Sequence, residues 1–356
     1  MPGSTSPKGR GASFNPHPRY LAERREAFDD GWTETDGKPP LLSTTVTVEH
    51  ARTIITRNDS PDVLFTASIN PYRGCEHGCI YCYARPTHAY LDLSPGLDFE
   101  SKLFAKTNAP ERLRQELRKP GYRCEFIALG ANTDPYQPIE REYRITRAII
   151  EVLVECHHPL AIVTKSSLIE RDLDLLAPMA GKNLIEVFIS ITTLDHALAR
   201  RMEPRTTAPK RRLETLRRLS HAGIPTGVMF APVIPILNDS EMERVLEAAA
   251  GAGARFAGYV IVRLPYEIKD LFKQWLEDHQ PLKAQHVMNR IRDLREGKEN
   301  DPQFGSRMSG TGIYAQLIRR RFELACKRLG LNRSKHTLDA TQFRPPAMHA
   351  DQIALF

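Results

Sequence analysis

An α/β fold with parallel strands is what the sequence predicts, on three observations. Six short β-rich runs alternate with helical patterns between Phe65 and Val262. Strands separated by helix-length segments run parallel through right-handed crossovers. The intervening segments carry helical periodicity, as in Ile145, Ala148, Ile149, Val152, Leu153 and Cys156. Apolar residues make up 41% and charged residues 26% of the 356 residues, enough for a substantial core. No run of about 18 apolar residues is present to span a membrane, and the N-terminus has no apolar signal region. A cytoplasmic protein without a membrane partner is expected.

Residues 1–60 read as a partly disordered N-terminal extension, with Pro2, Pro7, Pro16, Pro18, Pro39 and Pro40 among Gly, Ser and Thr. Within it, Leu21 to Phe28 suits a short helix and Ser43 to Glu49 an edge strand. The barrel-type region follows at 61–266. Its strand candidates are Phe65–Asn70, Cys124–Leu129, Leu160–Thr164, Leu184–Thr192, Thr226–Val233 and Phe256–Val262. Leu213, Leu216 and Leu219 mark a helix ended by Gly223, and Ser240 with Glu243 forms a capping-box pattern. Residues 267–337 read as a C-terminal helical region broken around Asp301 to Gly312. Its stripe of Tyr314, Ile318, Phe322, Ala325 and Leu329 packs one helix on the barrel. Residues 338–356, with Pro345 and Pro346, read as a mobile tail. Periodicity leaves two architectures open, a doubly wound sheet or a partial α/β barrel. In both, functional groups gather at the C-terminal ends of the strands.

The first strand candidate runs into Cys75-Glu-His-Gly-Cys79-Ile-Tyr-Cys82, a C-x3-C-x2-C loop. Three thiolates on one tight loop can hold three irons of a 4Fe–4S cube, which leaves the fourth iron open to a non-protein ligand. Gly74 and Gly78 let the backbone wrap close. Cys124, Cys156 and Cys326 lack cluster spacing. The competing assignment is zinc, held by the three cysteines with His77 or His88.

This motif, with Tyr81 before the last cysteine, resembles the radical S-adenosylmethionine (SAM) superfamily. Ser60-Pro-Asp-Val63, Ser68-Ile-Asn-Pro-Tyr-Arg-Gly-Cys75, Ala84-Arg-Pro-Thr-His-Ala-Tyr90 and Asn132-Thr-Asp-Pro-Tyr-Gln-Pro-Ile-Glu140 resemble its branch related to spore photoproduct lyase, which is DNA-repair-lyase-like. The resemblance covers about 50–270 and implies a partial (β/α)6 TIM-type barrel. It implies a 4Fe–4S cluster on Cys75, Cys79 and Cys82, and SAM on the open iron, reductively cleaved to a 5′-deoxyadenosyl radical. It also implies an electron donor such as flavodoxin or ferredoxin.

The same resemblance puts Tyr81 beside the adenine, Lys165 on the methionyl carboxylate and Ser190 in contact with the cofactor. Asn132, Thr133 and Asp134 end the second strand with polar groups suited to an ammonium and a carboxylate. An Asx-type turn before Pro135 explains them equally simply. One departure stands out. Photoproduct lyases carry a cysteine hydrogen-atom donor just before these contacts, where this chain has Ala131. Cys124 lies at the other end of that strand, so repair of spore photoproduct itself is not expected.

The net charge is +7. Arg200–Arg218 and Arg319–Lys335 are basic stretches suited either to phosphate or to plain solvated helix faces. Tyr136, Tyr143 and Tyr266 suit either base stacking or packing. Gln352-Ile-Ala-Leu355-Phe356 resembles the peptide by which bacterial replication and repair proteins dock on the β sliding clamp. The expectation is a radical SAM enzyme acting on a nucleic acid or nucleotide-like substrate. The alternatives are the same chemistry on a protein or small metabolite, and a zinc-dependent, DNA-binding or clamp-tethered adaptor without catalysis.

Overall fold

In a computed structural model that describes residues 7–23 and 42–347, the chain forms two sheets. The strands are β1 (Thr45–Glu49), β2 (Ile55–Arg57), β3 (Ala67–Ile69), β4 (Tyr72–Arg73), β5 (Lys102–Lys106), β6 (Ile127–Leu129), β7 (Leu160–Thr164), β8 (Ile185–Ser190), β9 (Thr226–Val233) and β10 (Phe256–Ile261). The larger sheet has the order β10-β9-β8-β7-β6-β3-β2. Its pairs from β3 to β10 are parallel, and β2 is an antiparallel edge. Each new parallel strand adds beside the one before it. A doubly wound sheet reverses direction once at a switch point; this order never does. The strands therefore wind as a partial barrel.

The helices are α1 (Leu97–Ser101), α2 (Ala109–Leu117), α3 (Glu140–Tyr143), α4 (Ile145–Glu155), α5 (Leu173–Gly181), α6 (His196–Met202), α7 (Pro209–His221), α8 (Met242–Gly251), α9 (Ile268–His279), α10 (Pro281–Asp293) and α11 (Gly312–Leu329). In α4, Ile145, Ile149, Val152 and Leu153 are buried, as their spacing requires. In α11 the buried positions are Ala315, Ile318, Ala325 and Cys326, with Tyr314, Phe322 and Leu329 packed partly against the core. The Ser240–Glu243 capping box does not form. A 3-10 turn over Asp239–Glu241 precedes α8, and Glu243 instead pairs with Arg321 of α11 at 2.6 Å.

Hydrophobic packing among the described residues forms two large clusters and a small third one of Cys75, Ala84 and Phe99. One cluster fills the barrel and its helix contacts, with Ile127, Leu129, Ile162, Val187 and Phe230 fully buried. The second joins Cys79, Ile80 and Tyr81 to Met202 of α6, to Phe272 and Trp275 of α9 and to Val287 and Ile291 of α10. The C-terminal helices α9 and α10 therefore share one buried cluster with the cysteine loop and α6.

Two stretches differ from expectation. Part of the N-terminal extension is built into the mouth of the barrel: Ala12 is fully buried, and β1 pairs in parallel with β5. The expected helix from Leu21 lies largely outside the described residues, as do Gln352, Leu355 and Phe356. Part of the expected mobile tail lies against the barrel. Asp339 N–H donates to Asn183 O at 3.0 Å and Arg344 N–H to Cys156 O at 2.9 Å. Phe343 packs on Tyr122 and His158 with ring centroids 5.3 and 5.4 Å apart.

Candidate functional site

The cysteine loop leaves β3 at the C-terminal end of the barrel and turns back through β4, which pairs with β5. Gly74 and Gly78 take left-handed conformations, φ 75° and 67°, which cost a glycine nothing. Cys75 N–H donates to Phe99 O at 2.9 Å and Cys82 N–H to Cys79 O at 3.2 Å. Ile80 N–H donates to Met202 O at 3.0 Å, tying the loop to α6.

Three buried hubs fix this loop. Gln137 receives Glu76 N–H at 2.9 Å and donates to Gly74 O at 3.2 Å, bracketing Cys75. Glu100, fully buried, pairs with Arg85, whose Nε donates to Cys79 O at 2.9 Å. The same carboxylate accepts N–H bonds from Gly11 and Ala12, both at 2.9 Å. A Cβ on Gly11 would lie 1.7 Å from Gly78 O, so only glycine admits this contact. Glu203, the third hub, pairs with buried Arg212 and accepts hydrogen bonds from Tyr81 and Thr192 hydroxyls. Burial alone would raise the Glu203 carboxyl. The charges of Arg212 and Lys165, with the two hydroxyls, outweigh it and hold it at about 2.

The predicted cofactor residues separate into two groups. Thr133 and Asp134 are committed to the protein. Thr133 Oγ1 donates to Tyr72 O at 3.2 Å. Asp134 accepts from Tyr136 N–H at 2.9 Å, in the Asx turn, from Thr164 Oγ1 at 2.7 Å and from Lys165 N–H at 2.8 Å. Against the upward push of burial, His77 and these donors keep its carboxyl at about 2. Asp134 thus locks the end of β7 to the loop. Ser190 is buried and donates to Ala231 O at 3.3 Å, an ordinary partner for a buried hydroxyl.

Lys165 and Asn132 are differently placed. Among the described residues the Lys165 ammonium has no ion pair or hydrogen bond, yet it lies 5.9 Å from the Tyr81 ring centroid and its charge reaches Cys79 and Glu203. Asn132 accepts no commitment for its side chain; its backbone N–H donates to Asn70 Oδ1 at 3.1 Å. Both amide and ammonium are free to serve a ligand above the loop.

The thiols themselves suit a cluster. Burial, then the nearby carboxylates Asp134 and Glu203, and then the neighbouring thiols push Cys75 well up and Cys79 to about 12. Such a donor set ionises only beside a cation, which inverts the shift. Among the described residues no three or more His, Cys, Asp or Glu side chains converge on one ion. Cys124 precedes β6, Cys156 follows α4 and Cys326 lies in α11, so none belongs to the loop.

The radical SAM superfamily model matches residues 69–249 of the chain. The chain belongs to the radical SAM superfamily. An uncharacterized protein of Mycobacterium tuberculosis is 40% identical to this radical SAM enzyme over 232 residues, 65% of this chain and 67% of its own. An uncharacterized protein of Methanocaldococcus jannaschii is 28% identical over 223 residues, 62% and 79% of the two chains. Among solved structures, spore photoproduct lyase complexed with dinucleoside spore photoproduct aligns over 80% of each chain, with a TM-score of 0.56 and 17% identity. A point mutant of that lyase aligns with a TM-score of 0.57 and 16% identity over 80% of each chain. Similarity at this level speaks for the fold, which agrees with the partial barrel.

The hubs Glu100, Gln137 and Glu203 were not singled out as functional from the sequence. Gln137 lay inside a noted motif; Glu100 and Glu203 gave no signal, because a buried carboxylate is recognisable only by partners such as Gly11 or Arg212. The basic stretches also look different once folded. Arg205, Arg211, Arg212 and Arg218 pair with Glu76, Glu170, Glu203 and Glu170. Arg319 and Arg321 pair with Glu323 and Glu243. Tyr136 is fully buried, so it is packing. Among the three tyrosines considered for stacking, Tyr266 is the exposed one, at 62%.

Proposed function

We propose that this protein holds a 4Fe–4S cluster on Cys75, Cys79 and Cys82 and reductively cleaves S-adenosylmethionine to modify a nucleic acid or nucleotide-like substrate. The observation that carries the reading is the three-cysteine loop, held by buried hubs at the C-terminal end of a parallel barrel in a radical SAM chain. When bound, cluster and SAM supply a 5′-deoxyadenosyl radical that takes a hydrogen atom from substrate. The chain's own part is to aim and exclude water. The unpaired Lys165 ammonium receives the methionyl carboxylate. Tyr81, fixed by Glu203, walls the adenine side. Asn132 and Ser190 offer polar contacts, while Thr133 and Asp134 act by holding the strand ends in register. The cluster that Cys79, Ile80 and Tyr81 share with α6, α9 and α10 shields that side of the loop.

The nucleic-acid half is supported by the lyase-like motifs and the net charge of +7. A lyase-like repair reaction fits, with Ala131 in place of a thiol donor setting it apart from photoproduct repair. Flavodoxin or ferredoxin is the class of electron donor. A cytoplasmic, reducing setting goes with six free cysteines. Among the described residues no helix is long and apolar enough to cross a membrane. Residues 352–356 add a docking peptide for a β sliding clamp, tested by titrating purified clamp against wild type and a Leu355→Ala, Phe356→Ala pair. The main experiment is anaerobic reconstitution followed by dithionite reduction with SAM. About four irons per chain and formation of 5′-deoxyadenosine are expected. A colourless protein holding one zinc, or a loaded protein that forms no 5′-deoxyadenosine, would sink the reading.

A further inference from the structure

The parallel strands do not close on themselves: β10 pairs with β9, and β2 and β3 form the far edge of the sheet. Side chains join the two sides at the mouth. Arg263, two residues past β10, holds its guanidinium carbon 5.2 Å from the centre of the Tyr83 ring, next to Cys82. Three residues on, which is at most about 10 Å, Tyr266 lies 3.8 Å from the Arg19 guanidinium. Arg19 also donates to Glu267 at 2.9 Å and to Pro86 O at 3.3 Å. Beside it, Tyr20 and Tyr90 stack with centroids 5.1 Å apart. On the other flank Arg307, paired with Asp62, covers Phe304 at 4.4 Å.

Two features mark this seam as a ligand surface. Tyr20, Tyr83, Tyr90, Tyr266 and Phe304 are the exposed large aromatic side chains among the described residues, and all five lie along it. Ordinary solubility disfavours gathering such rings in one place. The second feature is Arg263. Its hydrogen bond goes to Met308 Sδ at 3.5 Å, and its Nε is buried without an acceptor. Burial and neighbouring Arg307 disfavour its charge, Asp62 favours it only from a distance, and among the described residues no carboxylate forms an ion pair with it. A guanidinium keeps its proton in proteins, so an anion from outside is the missing partner. Asp62 and Glu267, the nearby acids, are already paired with Arg307 and Arg19.

We propose that this seam binds single-stranded nucleic acid. Bases stack on Tyr83, Tyr266 and the Tyr20–Tyr90 pair, and Arg263 takes a phosphate. Rings interleaved with arginines are how sequence-tolerant single-strand sites are built. A duplex hides its base faces in its own stack, and an acidic peptide uses the arginines but leaves the rings without planar partners. The inference rests on the nucleic-acid reading above and adds strandedness and place.

The test uses the full-length, cluster-reconstituted protein and fluorescence anisotropy. The probes are a labelled 12-nucleotide DNA strand, its duplex, and poly-glutamate as competitor. The single strand is expected to bind about tenfold or more tighter than the duplex and to resist poly-glutamate. Tyr90→Ala with Tyr266→Ala is expected to lose about tenfold or more, from loss of stacking, while the Phe pair at the same positions restores binding. Arg263→Gln is expected to weaken binding and lower the salt slope by about 0.7. Iron content reports whether each variant is intact. If wild type binds DNA and the Ala pair binds equally well, the seam is wrong and the nucleic-acid reading stands. Duplex binding as tight as single-strand binding, or displacement by poly-glutamate at equal charge, also overturns the seam. If no nucleic acid binds wild type, both fall.

Discussion

The two ends of the barrel are held by different physics. At the mouth, buried Glu100, Gln137 and Glu203 and the largely covered Asp134 each bind several partners, most of them from distant parts of the chain. At the foot, aliphatic side chains such as Ile127, Leu160 and Ile185 pack, capped by Phe343 on Tyr122 and His158. Hydrophobic packing tolerates exchange among similar volumes. A buried polar hub does not, because removing one partner strands the others. The difference teaches where this molecule requires fixed geometry: in the loop that carries the thiols, and much less at the foot.

The largest effect that tests this contrast is on iron. Cys75→Ala, Cys79→Ala and Cys82→Ala are each expected to abolish cluster content. Cys124→Ala, Cys156→Ala and Cys326→Ala are expected to keep it, and anaerobic iron assays read the result. Loss in Cys124→Ala together with retention in Cys79→Ala would reverse the assignment.

Next come the hubs. Glu100→Ala leaves Arg85 buried without its carboxylate and frees the Gly11 and Ala12 N–H groups. The cost expected is about 3–5 kcal/mol, read as a lower urea midpoint, with faster proteolysis of the N-terminal segment. A loss under about 1 kcal/mol would show that the mouth is held by packing, as the foot is. Lys165→Ala should act on ligand more than on fold. It is expected to weaken SAM binding by about 1.5–3 kcal/mol, measured by calorimetry on the loaded protein, with a urea midpoint lowered far less than in Glu100→Ala. A fall in stability with unaltered SAM affinity would make Lys165 structural.

The same contrast explains what could be read in the sequence. The strands Leu160–Thr164 and Thr226–Val233 appear with the predicted bounds, because alternation with helices is a local signal. The thiols were legible because their spacing is short. The strand β5 carries no such local signal: Lys102–Lys106 is flanked by lysines and its partner β1 lies over 50 residues earlier. Residues 7–23 looked like an extension because Gly, Pro and Ser composition says nothing of a carboxylate waiting at Glu100. The arginines of Arg200–Arg218 looked free because Glu170, the partner of both Arg211 and Arg218, precedes them by 41 and 48 residues. Local periodicity fixes elements; long-range pairing of charges does not show in it.

The smallest effect lies at the foot and carries a sign. His158 accepts the Tyr122 hydroxyl at Nε2, 2.8 Å away, and donates from Nδ1 to Pro159 O at 3.0 Å. Both ring nitrogens are thus used by the neutral form. Burial pushes its pKa down to about 4, against about 6.5 in an unfolded chain. As pH falls from 6.5 toward 4 the unfolded state takes a proton that the folded state refuses, so stability falls through that window. By pH 5 the expected loss from this group is about 1–2 kcal/mol. His88, near the mouth, is also held at about 4 by burial and adds a similar slope. His158→Phe should therefore cost some packing at pH 7, yet lose less stability than wild type on going to pH 5. Urea unfolding at the two pH values measures the difference. An unchanged pH dependence would mean that the foot admits water to His158, and the contrast between a sealed, aliphatic foot and a bonded mouth would have to be redrawn.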